Sequence, residues 1–401
     1  MLIVQKFGGT SVGSLERIEA VCDRVIECSK DNQIIVVVSA MSGETNKLTE
    51  YAHHFSSEPS ARDFDMILSS GEVVTSGLLS IAFNAKGRKA IALNGAQAKI
   101  VTSHKHTQAR IQSIDTTYMK QLLDDGYIVV VTGFQGVSED TQETTTLGRG
   151  GSDLSAVAIA GAMNADLCEI YTDVDGIYTT DPRIEPKAKK IERIFYDSML
   201  ELASAGAKVL HSRSVELAKK LNINLVTRNS FNENEGTLIT SEDNIVEKPI
   251  VTGIALDKNQ ARVSIMNVDD VPGIAAKVFF VLSENGINVD MIVQNVAHDN
   301  KTNIDFTIPK SDLQKTKDSL LSLDFALDNV EFDENICKVS LVGVGMKSHS
   351  GVASKAFNVF HDENINIMMI STSEIKISVV VQDKYGELAV RSLHAAYELD
   401  K

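Results

Sequence analysis

Basic residues are the scarce class in this chain. Its 401 residues include 39 Lys and Arg against 54 Asp and Glu, a formal net charge of −15, and its pI is about 5.1. Nucleic acids and anionic membranes both call for basic surface, so this balance argues against either as a partner. It leaves room for a local basic pocket that takes a nucleotide. Cysteine is also sparse. The 4 cysteines, Cys22, Cys28, Cys168 and Cys337, are scattered with no CxxC pair. They read as reduced thiols of a cytoplasmic protein, not as a disulfide frame or a zinc site. No uninterrupted apolar run reaches the length of a bilayer span. Met1-Leu2-Ile3-Val4 passes straight into Gln5-Lys6 with no signal-peptide pattern. The chain also lacks a GK[ST] Walker sequence after its first glycine turn, and that turn is not GxGxxG.

What is present is an ordinary soluble balance, 43% hydrophobic and 23% charged, long enough for two or three domains. The organising stretch is Thr144 to Met163, TTTLGRGGSDLSAVAIAGAM. A glycine-rich turn, Gly148-Arg149-Gly150-Gly151, leads through Ser152 and Asp153 into small residues of good helix propensity. Ser152 or Asp153 is the expected N-cap. Such a turn bares N–H groups ahead of a helix start, where an anion is favoured. Arg149 adds a fork of donors for a carboxylate or phosphate. Asp153 is suited to hold a cation or to orient an ammonium.

Leu2 to Phe7 reads as a strand ending in Gly8-Gly9-Thr10-Ser11. In the helix after it, Ile18, Val21, Cys22, Val25 and Ile26 fall on one face at spacings of three and four. Lys6 stands just before the glycines, where a lysine taken singly is most often a solvated strand end. Ile34 to Val38 is a continuous apolar strand, as in the middle of a parallel sheet. It ends in Ser39-Ala40-Met41-Ser42-Gly43, with Thr45 the expected cap of the next helix. A helix from about Asp63 to Ala85 carries Ser69-Ser70-Gly71-Glu72, and an exposed Glu72 is the commoner case. His104 and His106 have no third ligand spaced for a metal and read as loop residues. Helix 114–124 and strand 127–132 come next, then the organising stretch. Strand 167–171 ends Thr172-Asp173-Val174-Asp175-Gly176, with Tyr178, Asp181, Pro182 and Arg183 close behind. Helices near 197–205 and 212–221, with Lys208 between them, and strands 224–227 and 236–239 close the region. Alternation over about 240 residues predicts an α/β sandwich with a mostly parallel sheet.

Ser241 to Pro249 reads as a polar linker, and beyond it lies an internal repeat. Residues 272–279, PGIAAKVF, align with residues 350–357, SGVASKAF. Residues 286–292, GINVDMI, align with residues 364–370, NINIMMI, at the same offset of 78. Each unit reads strand, helix, strand, strand, helix, in the ferredoxin-like manner. The first has a fourth strand at 329–332 and the second has none. Ile250 to Leu256 is a spare strand expected to complete the second unit's sheet, which would interlock the two.

Six motifs in order carry a family resemblance: KFGGTSV at 6–12, SAMSGETN at 39–46, SSGE at 69–72, TLGRGGSD at 146–153, YTDVDGIYTTDPR at 171–183 and GAKVLH at 206–211. Together they resemble the aspartate kinases, and the repeat resembles that family's tandem ACT modules. The resemblance spans essentially the whole chain, in the short form without a homoserine dehydrogenase part. It implies a catalytic domain at 1–240, a linker at 241–249 and an ACT region at 250–401. Within that region it implies a first unit near 260–335 and a second near 336–401. It implies MgATP-dependent phosphorylation of the side-chain carboxylate of L-aspartate, with ATP and Mg²⁺ as cofactors. Lys6, Gly8, Gly9 and Ser39 would meet the phosphates, with Phe7 and Ser152 also among the cofactor-binding residues. Thr172, Asp173, Tyr178, Asp181, Arg183 and Lys208 would meet the nucleotide. Thr45, Glu72, Arg149, Gly150, Gly151 and Ser152 would hold aspartate, with Lys6, Arg149 and Asp153 at the reacting groups. An amino-acid effector, lysine with or without threonine, would bind the ACT pair of a homodimer or larger assembly. Its contacts would be Asp270, Gly273, Ile274, Ala275, Asn288, Asp290 and Gln294 in the first unit. In the second they would be His349, Gly351, Val352, Asn364, Asn366, Ser371 and Thr372. Asn288 and Asn366 are read as lying on each unit's second strand. Ser350 stands where the family's second ACT module commonly has proline. The rival readings are another amino-acid kinase of this fold, such as a glutamate kinase, and a non-catalytic amino-acid sensor.

Overall fold

A computed structural model describes residues 1–207, 209–241, 250–295, 300–321, 323, 329–344, 346 and 351–401. The chain divides into two compact units. One comprises the described residues of Met1–Ile177, Lys190–Ala203 and Lys208–Ile245; the other comprises those of Tyr178–Lys189, Ser204–Ala207 and Val246–Lys401. The boundary expected near residue 240 is therefore crossed by two short excursions, 178–189 and 204–207. Main-chain bonding explains the longer one: the Ile254 N–H donates to the Thr179 carbonyl at 2.7 Å.

The first unit runs β1 (Leu2–Phe7), α1 (Leu15–Cys28), β2 (Gln33–Val38), α2 (Glu44–Phe55), α3 (Ala61–Ala85), β3 (Ala90–Leu93), β4 (Ile100–Thr102), β5 (Ile111–Ile114), α4 (Thr117–Asp124) and β6 (Ile128–Thr132). It continues with β7 (Gln135–Ser138), β8 (Thr144–Thr146), α5 (Gly151–Met163), β9 (Leu167–Thr172), β10 (Arg193–Phe195), α6 (Tyr196–Ser204), α7 (Ser212–Leu221), β11 (Leu225–Asn229) and β12 (Thr237–Thr240). Eight strands form the main sheet in the order β10-β12-β11-β9-β1-β2-β6-β3. All its neighbours are parallel except β11 with β12. In β2 every residue from Ile34 to Val38 is buried, because helices cover both faces of a parallel sheet. The α1 stripe of Ile18, Val21, Cys22 and Val25 packs with Phe7, Val36 and Phe83 in one core.

Two features differ from the sequence reading. Strands β5-β4-β7-β8 make a separate four-stranded sheet. These strands have only three or four residues each, too few for a period-2 pattern to register. The 25-residue α3 is, by length and composition alone, apolar enough to cross a bilayer. Its serines, glycines and alanines break the apolar run without making it hydrophilic, and half of its apolar window is buried inside the protein. It is a core helix of this unit, packed on β3, β6 and β8.

The second unit contains β13 (Gly253–Asp269), α8 (Ile274–Glu284), β14 (Asp290–Gln294), β15 (Lys301–Pro309), α9 (Leu313–Leu320), β16 (Val330–Val342), α10 (Gly351–Asp362), β17 (Met369–Thr372), β18 (Lys376–Gln382) and α11 (Gly386–Ala396). Its six strands form one sheet, β14-β15-β13-β16-β18-β17. The spare strand at 250–256 and the first strand of the first repeat are one strand, β13. The strand at 329–332 and the first strand of the second repeat are likewise one, β16. The front of β13 pairs with the back of β16, Ile254 opposite Leu341, and its back pairs with the front of β16, Val263 opposite Phe332. Two cores result. Val263, Ile265, Val278, Phe306 and Leu320 belong to one. Ile254, Val339, Val352, Phe360 and Val390 belong to the other.

Lys338 on β16 is only 3% exposed at its side chain, and its ammonium donates to Asp290 of β14 at 2.6 Å. Burial by itself would raise the Asp290 carboxyl; the charge and hydrogen bond of Lys338 outweigh it, and the net shift is downward. A carboxyl held below its usual range contributes stability above that range, and the contribution is lost as pH falls through the folded value. Replacing Asp290 by Ala strands a buried ammonium. The expected cost at pH 7 is about 1–3 kcal/mol, discounted because water reaches the aspartate side. Thermal melts should show that loss, shrinking below about pH 4, and Lys338→Met in the same chain should restore most of it. Equal melts for parent and Asp290→Ala would mean the pair contributes nothing.

Candidate functional site

Four parallel strands of the first unit end in register. Phe7 of β1 lies opposite Val38 of β2 and Tyr171 of β9, and Val38 lies opposite Thr132 of β6. The residues one step beyond that row are Gly8, Ser39, Gly133 and near them Thr172. Main-chain bonds continue the row: Gly8 N–H to Tyr171 O at 3.2 Å, Ser39 N–H to Phe7 O at 3.1 Å, Gly133 N–H to Val38 O at 2.9 Å. This is the carboxyl edge of a parallel sheet, where open α/β folds receive ligands.

Strand alternation sends Phe7 and Lys6 to opposite faces. The Phe7 ring is fully buried and stacks on Tyr171 with centroids 4.6 Å apart, so only its main chain is at the edge. Lys6 is not a solvated strand end. Its ammonium lies 2.6 Å from Asp153 Oδ1, with the two side chains 11% and 13% exposed. At Gly8 a Cβ would stand 3.4 Å from that ammonium, so the absence of a side chain keeps the charge open to a ligand.

Asp153 and Ser152 lie inside the first turn of α5 and do not cap it. The N-cap is Gly150, at φ +71°, with no side-chain cap. A Cβ there would come within 2.5 Å of His211, so the turn requires glycine twice over. Ser152 packs against Gly133, where a Cβ would be 2.7 Å away. Arg149 at the turn's tip is exposed and has no polar partner among the described residues.

Glu72 is buried, not exposed: it is 4% accessible. One carboxylate oxygen accepts from the Ala40 N–H at 3.0 Å, and the other is buried without a partner. Burial pushes its carboxyl up to about 7, and the Ala40 bond opposes that only in part. Gly71 permits the approach, since its Cβ would sit 2.7 Å from the Ala40 Cβ. Thr45 is exposed in the first turn of α2 and is not its cap; that place is taken by Gly43, at φ +86°.

Around Thr172 the loops are tied by side chains. Asp175, which sequence reasoning assigned no role, accepts from Asn229 at 2.6 Å and Asn232 at 2.7 Å. Asp173 is exposed and accepts from Thr172 at 3.2 Å. Tyr178, Asp181 and Arg183 fall in the second unit. There Asp181 accepts from the Arg183 main chain at 2.9 Å and from its guanidinium at 2.6 Å. Lys208 lies outside the described residues. Ala40, Asp65, Gly133 and His211 have no role assigned from the sequence, and His106 lies in a loop as expected. A signal for Asp65 existed: it stands seven residues before Glu72, hence on the same helix face.

In the second unit a cavity of about 420 Å³ is lined by Asp270, Val271, Pro272, Gly273, Ile274, Ala275 and Gln294. Gly273, at φ +98°, is the N-cap of α8, so the helix amides face the cavity mouth. Asp290 is committed to Lys338. Asn288 and Asn366 are exposed and stand in the segments before β14 and β17, not on those strands. Gly351 opens α10, Val352 is buried in that module's core, Asn364 follows α10 at φ +53°, and Ser371 and Thr372 end β17. His349 and Ser350 lie outside the described residues.

Residues 1–229 match the model of the amino acid kinase family, and residues 263–321 and 339–397 match that of the ACT domain. The aspartokinase of Helicobacter pylori strain J99 is 61% identical over the full length of both chains. The chain belongs to the aspartate kinase family. Its fold is similar to that of E. coli aspartokinase III solved with aspartate and ADP in the R-state, with a TM-score of 0.85, 26% identity and 99% of each chain covered. The same enzyme solved with lysine and aspartate in the T-state gives a TM-score of 0.77 at 26% identity, covering 98% of this chain and 99% of that one.

For an aspartate kinase the donor set is informative. Among the described residues no three His, Cys, Asp or Glu cluster as a metal cage. The open ammonium of Lys6 fits phosphates.

The raised Glu72 carboxyl yields a signed prediction. A carboxyl held above its ordinary value stabilises the folded chain below that value, and the stability is lost as pH rises through about 7. Without substrate, Glu72→Gln should therefore gain stability at pH 8, by up to about 3 kcal/mol, and almost none at pH 5. Denaturant titrations at the two pH values measure this, and equal gains at both would return Glu72 to an ordinary carboxyl.

Proposed function

We propose that the carboxyl edge of the main sheet transfers the terminal phosphoryl group of MgATP to the side-chain carboxylate of L-aspartate, giving 4-phospho-L-aspartate. The observation that carries this reading is the meeting at one edge of a buried lysine and a buried glutamate with an open oxygen. An α-amino acid brings an ammonium and two carboxylates. The open oxygen of Glu72 suits the ammonium, and Arg149 suits a carboxylate through a two-pronged contact. The attacking carboxylate is already ionised at neutral pH, so the reaction asks for positive charge and alignment, not a strong base. Mg²⁺ on ATP supplies part of that charge. Lys6 supplies the rest, oriented by Asp153, and the Gly8, Gly9 and Ser39 amides hold the phosphates. Gly150, Gly151, Ser152 and Thr45 shape the aspartate side. Thr172, Asp173, Tyr178, Asp181, Arg183 and Lys208 serve the nucleotide in this reading. The aspartate and ADP complex of the E. coli relative supports it.

The same proposal covers organisation and control. Residues 1–240 are the catalytic region, 241–249 a linker and 250–401 the regulatory pair, in a cytoplasmic enzyme that assembles as a homodimer or larger through its ACT modules. Lysine, alone or with threonine, inhibits by occupying the cavity at Asp270–Ala275. The lysine complex of the E. coli relative supports the choice of effector. Binding inhibits only as far as the effector prefers one packing of the modules.

ADP release tests the reaction. It should require aspartate and fall to background with glutamate or with no acceptor; turnover with glutamate would install the glutamate-kinase reading, and none with either would install the sensor. Lys6→Ala should cut kcat about a hundredfold to a thousandfold with the fold intact. Near-normal kcat would remove Lys6 from the phosphoryl site. For control, Gln294→Ala should raise the lysine concentration for half-inhibition about tenfold, the worth of one hydrogen bond to a charged ligand. An unmoved inhibition curve would place the effector elsewhere.

A further inference from the structure

Asp65 is a carboxylate with no accessible surface on the face of α3 that also carries Glu72. Nothing in the reaction uses it directly, yet five hydrogen bonds converge on it. Thr107 N–H donates to both oxygens, at 3.1 and 3.0 Å. Thr146 donates its N–H at 3.0 Å and its hydroxyl at 2.6 Å. His106 Nδ1 lies 2.9 Å away. A buried carboxylate is costly unless its lone pairs are filled, and here they are filled by two separate segments, the 103–110 loop and β8.

Both segments hold the turn that presents Arg149. Thr146 ends β8, three residues before Arg149. Its carbonyl accepts the Ala109 N–H at 2.9 Å, the Leu147 N–H donates to Phe134 O at 2.9 Å, and Arg213 donates to Leu147 O at 2.7 Å. Gly148, at φ +75°, packs on the Thr107 carbonyl, where a Cβ would be 3.1 Å away. Between Asp65 and Glu72, on the same face, the Ser69 carbonyl accepts from Gln135 at 2.9 Å. One helix thus carries Glu72 and fixes the base of the turn that carries Arg149.

We propose that Asp65 is a positioning residue for the amino-acid substrate: it sets the spacing between the Glu72 carboxylate and the Arg149 guanidinium and so tunes which dicarboxylic amino acid fits. The inference rests on the reading of Glu72 and Arg149 as the aspartate grip. It differs from a purely stabilising role because it concerns one substrate and not the other.

The test is steady-state kinetics of the full-length enzyme. Asp65→Asn turns one acceptor into a donor facing donors, so the turn should shift. Misplacement by about an ångström costs on the order of a hundredfold. The aspartate KM should rise tenfold to a hundredfold while the ATP KM stays within twofold, and the ratio of activity on aspartate to that on glutamate should fall. Thr146→Val removes one donor and should move the aspartate KM in the same direction by less; if Asp65→Asn fails to fold, this variant decides. Equal rises in both KM values, or an aspartate KM within twofold of the parent in the folded variants, overturns the proposal. Glu72→Gln and Arg149→Lys are measured alongside. If they leave the aspartate KM unchanged, the grip itself is misassigned and the inference falls with it. If they raise it while Asp65→Asn and Thr146→Val do not, only the positioning role is lost.

Discussion

A lysine ammonium largely withdrawn from water at the end of a central strand needs a carboxylate within reach. The 2.6 Å pair of Lys6 and Asp153 meets that need, and much of the first unit is arranged to allow it. Asp153 reaches β1 only because α5 begins directly at the strand-end edge, and α5 begins there because the turn before it is glycine. Gly150 takes a left-handed conformation against His211, and Gly133 lets Ser152 lie on the end of β6. The ammonium is thereby held in one place without being covered, since Gly8 adds no side chain over it. In the proposed reading this benefits phosphoryl transfer: the charge is oriented before the ligand arrives, and little reorganisation is left for the reaction.

In the second unit the governing constraint is the continuity of two strands. β13 runs for 17 residues and serves both cores, with Ile254 in one and Val263 in the other. Its far end is Asp269, next to Asp270 and the 420 Å³ cavity. Its near end donates from Ile254 to the Thr179 carbonyl, and the Thr179 hydroxyl meets His394 of α11 at 2.9 Å. The segment bearing Tyr178, Asp181 and Arg183 therefore hangs from the same strand that borders the cavity. Two modules strung in series would lack this link. The pair of buried Lys338 and half-exposed Asp290 adds a second cross-tie, from β14 of one module to β16 shared with the other.

Much of this was legible in the sequence because it rests on periodicity and glycine. The continuous apolar run of Ile34–Val38, the α1 stripe and the glycine turns at residues 8–9 and 148–151 all lie where the pattern placed them. The repeat is visible too, though the sequence suggests four strands where the two continuous strands β13 and β16 stand. A strand that crosses from one core to another keeps its alternation, and nothing in the residues marks the crossing. The misplaced expectations share one cause. Lys6 and Glu72, each taken alone, belong on the surface. What buries them is a partner far away in sequence: Asp153 for Lys6 and the Ala40 N–H for Glu72. Pairings of that kind are settled by topology, which a single sequence does not display.

The same pairings resolve an apparent conflict between an acidic chain and anionic ligands. A net charge of −15 would repel ATP and aspartate if it acted at long range. At physiological ionic strength charges beyond about 8 Å are largely screened, so the local set decides. At the strand-end edge Lys6 is balanced by Asp153, and Glu72 sits with its carboxyl raised to about 7 by burial, so much of its charge is withheld near neutral pH. Arg149 is exposed and has no polar partner among the described residues. The edge is thus less negative than its residue count implies, and in the proposed reading the arriving amino acid brings the ammonium that favours ionisation of Glu72. A buried acid with an open oxygen is a poor feature of a resting protein and a good one for a site whose ligand carries a cation of its own.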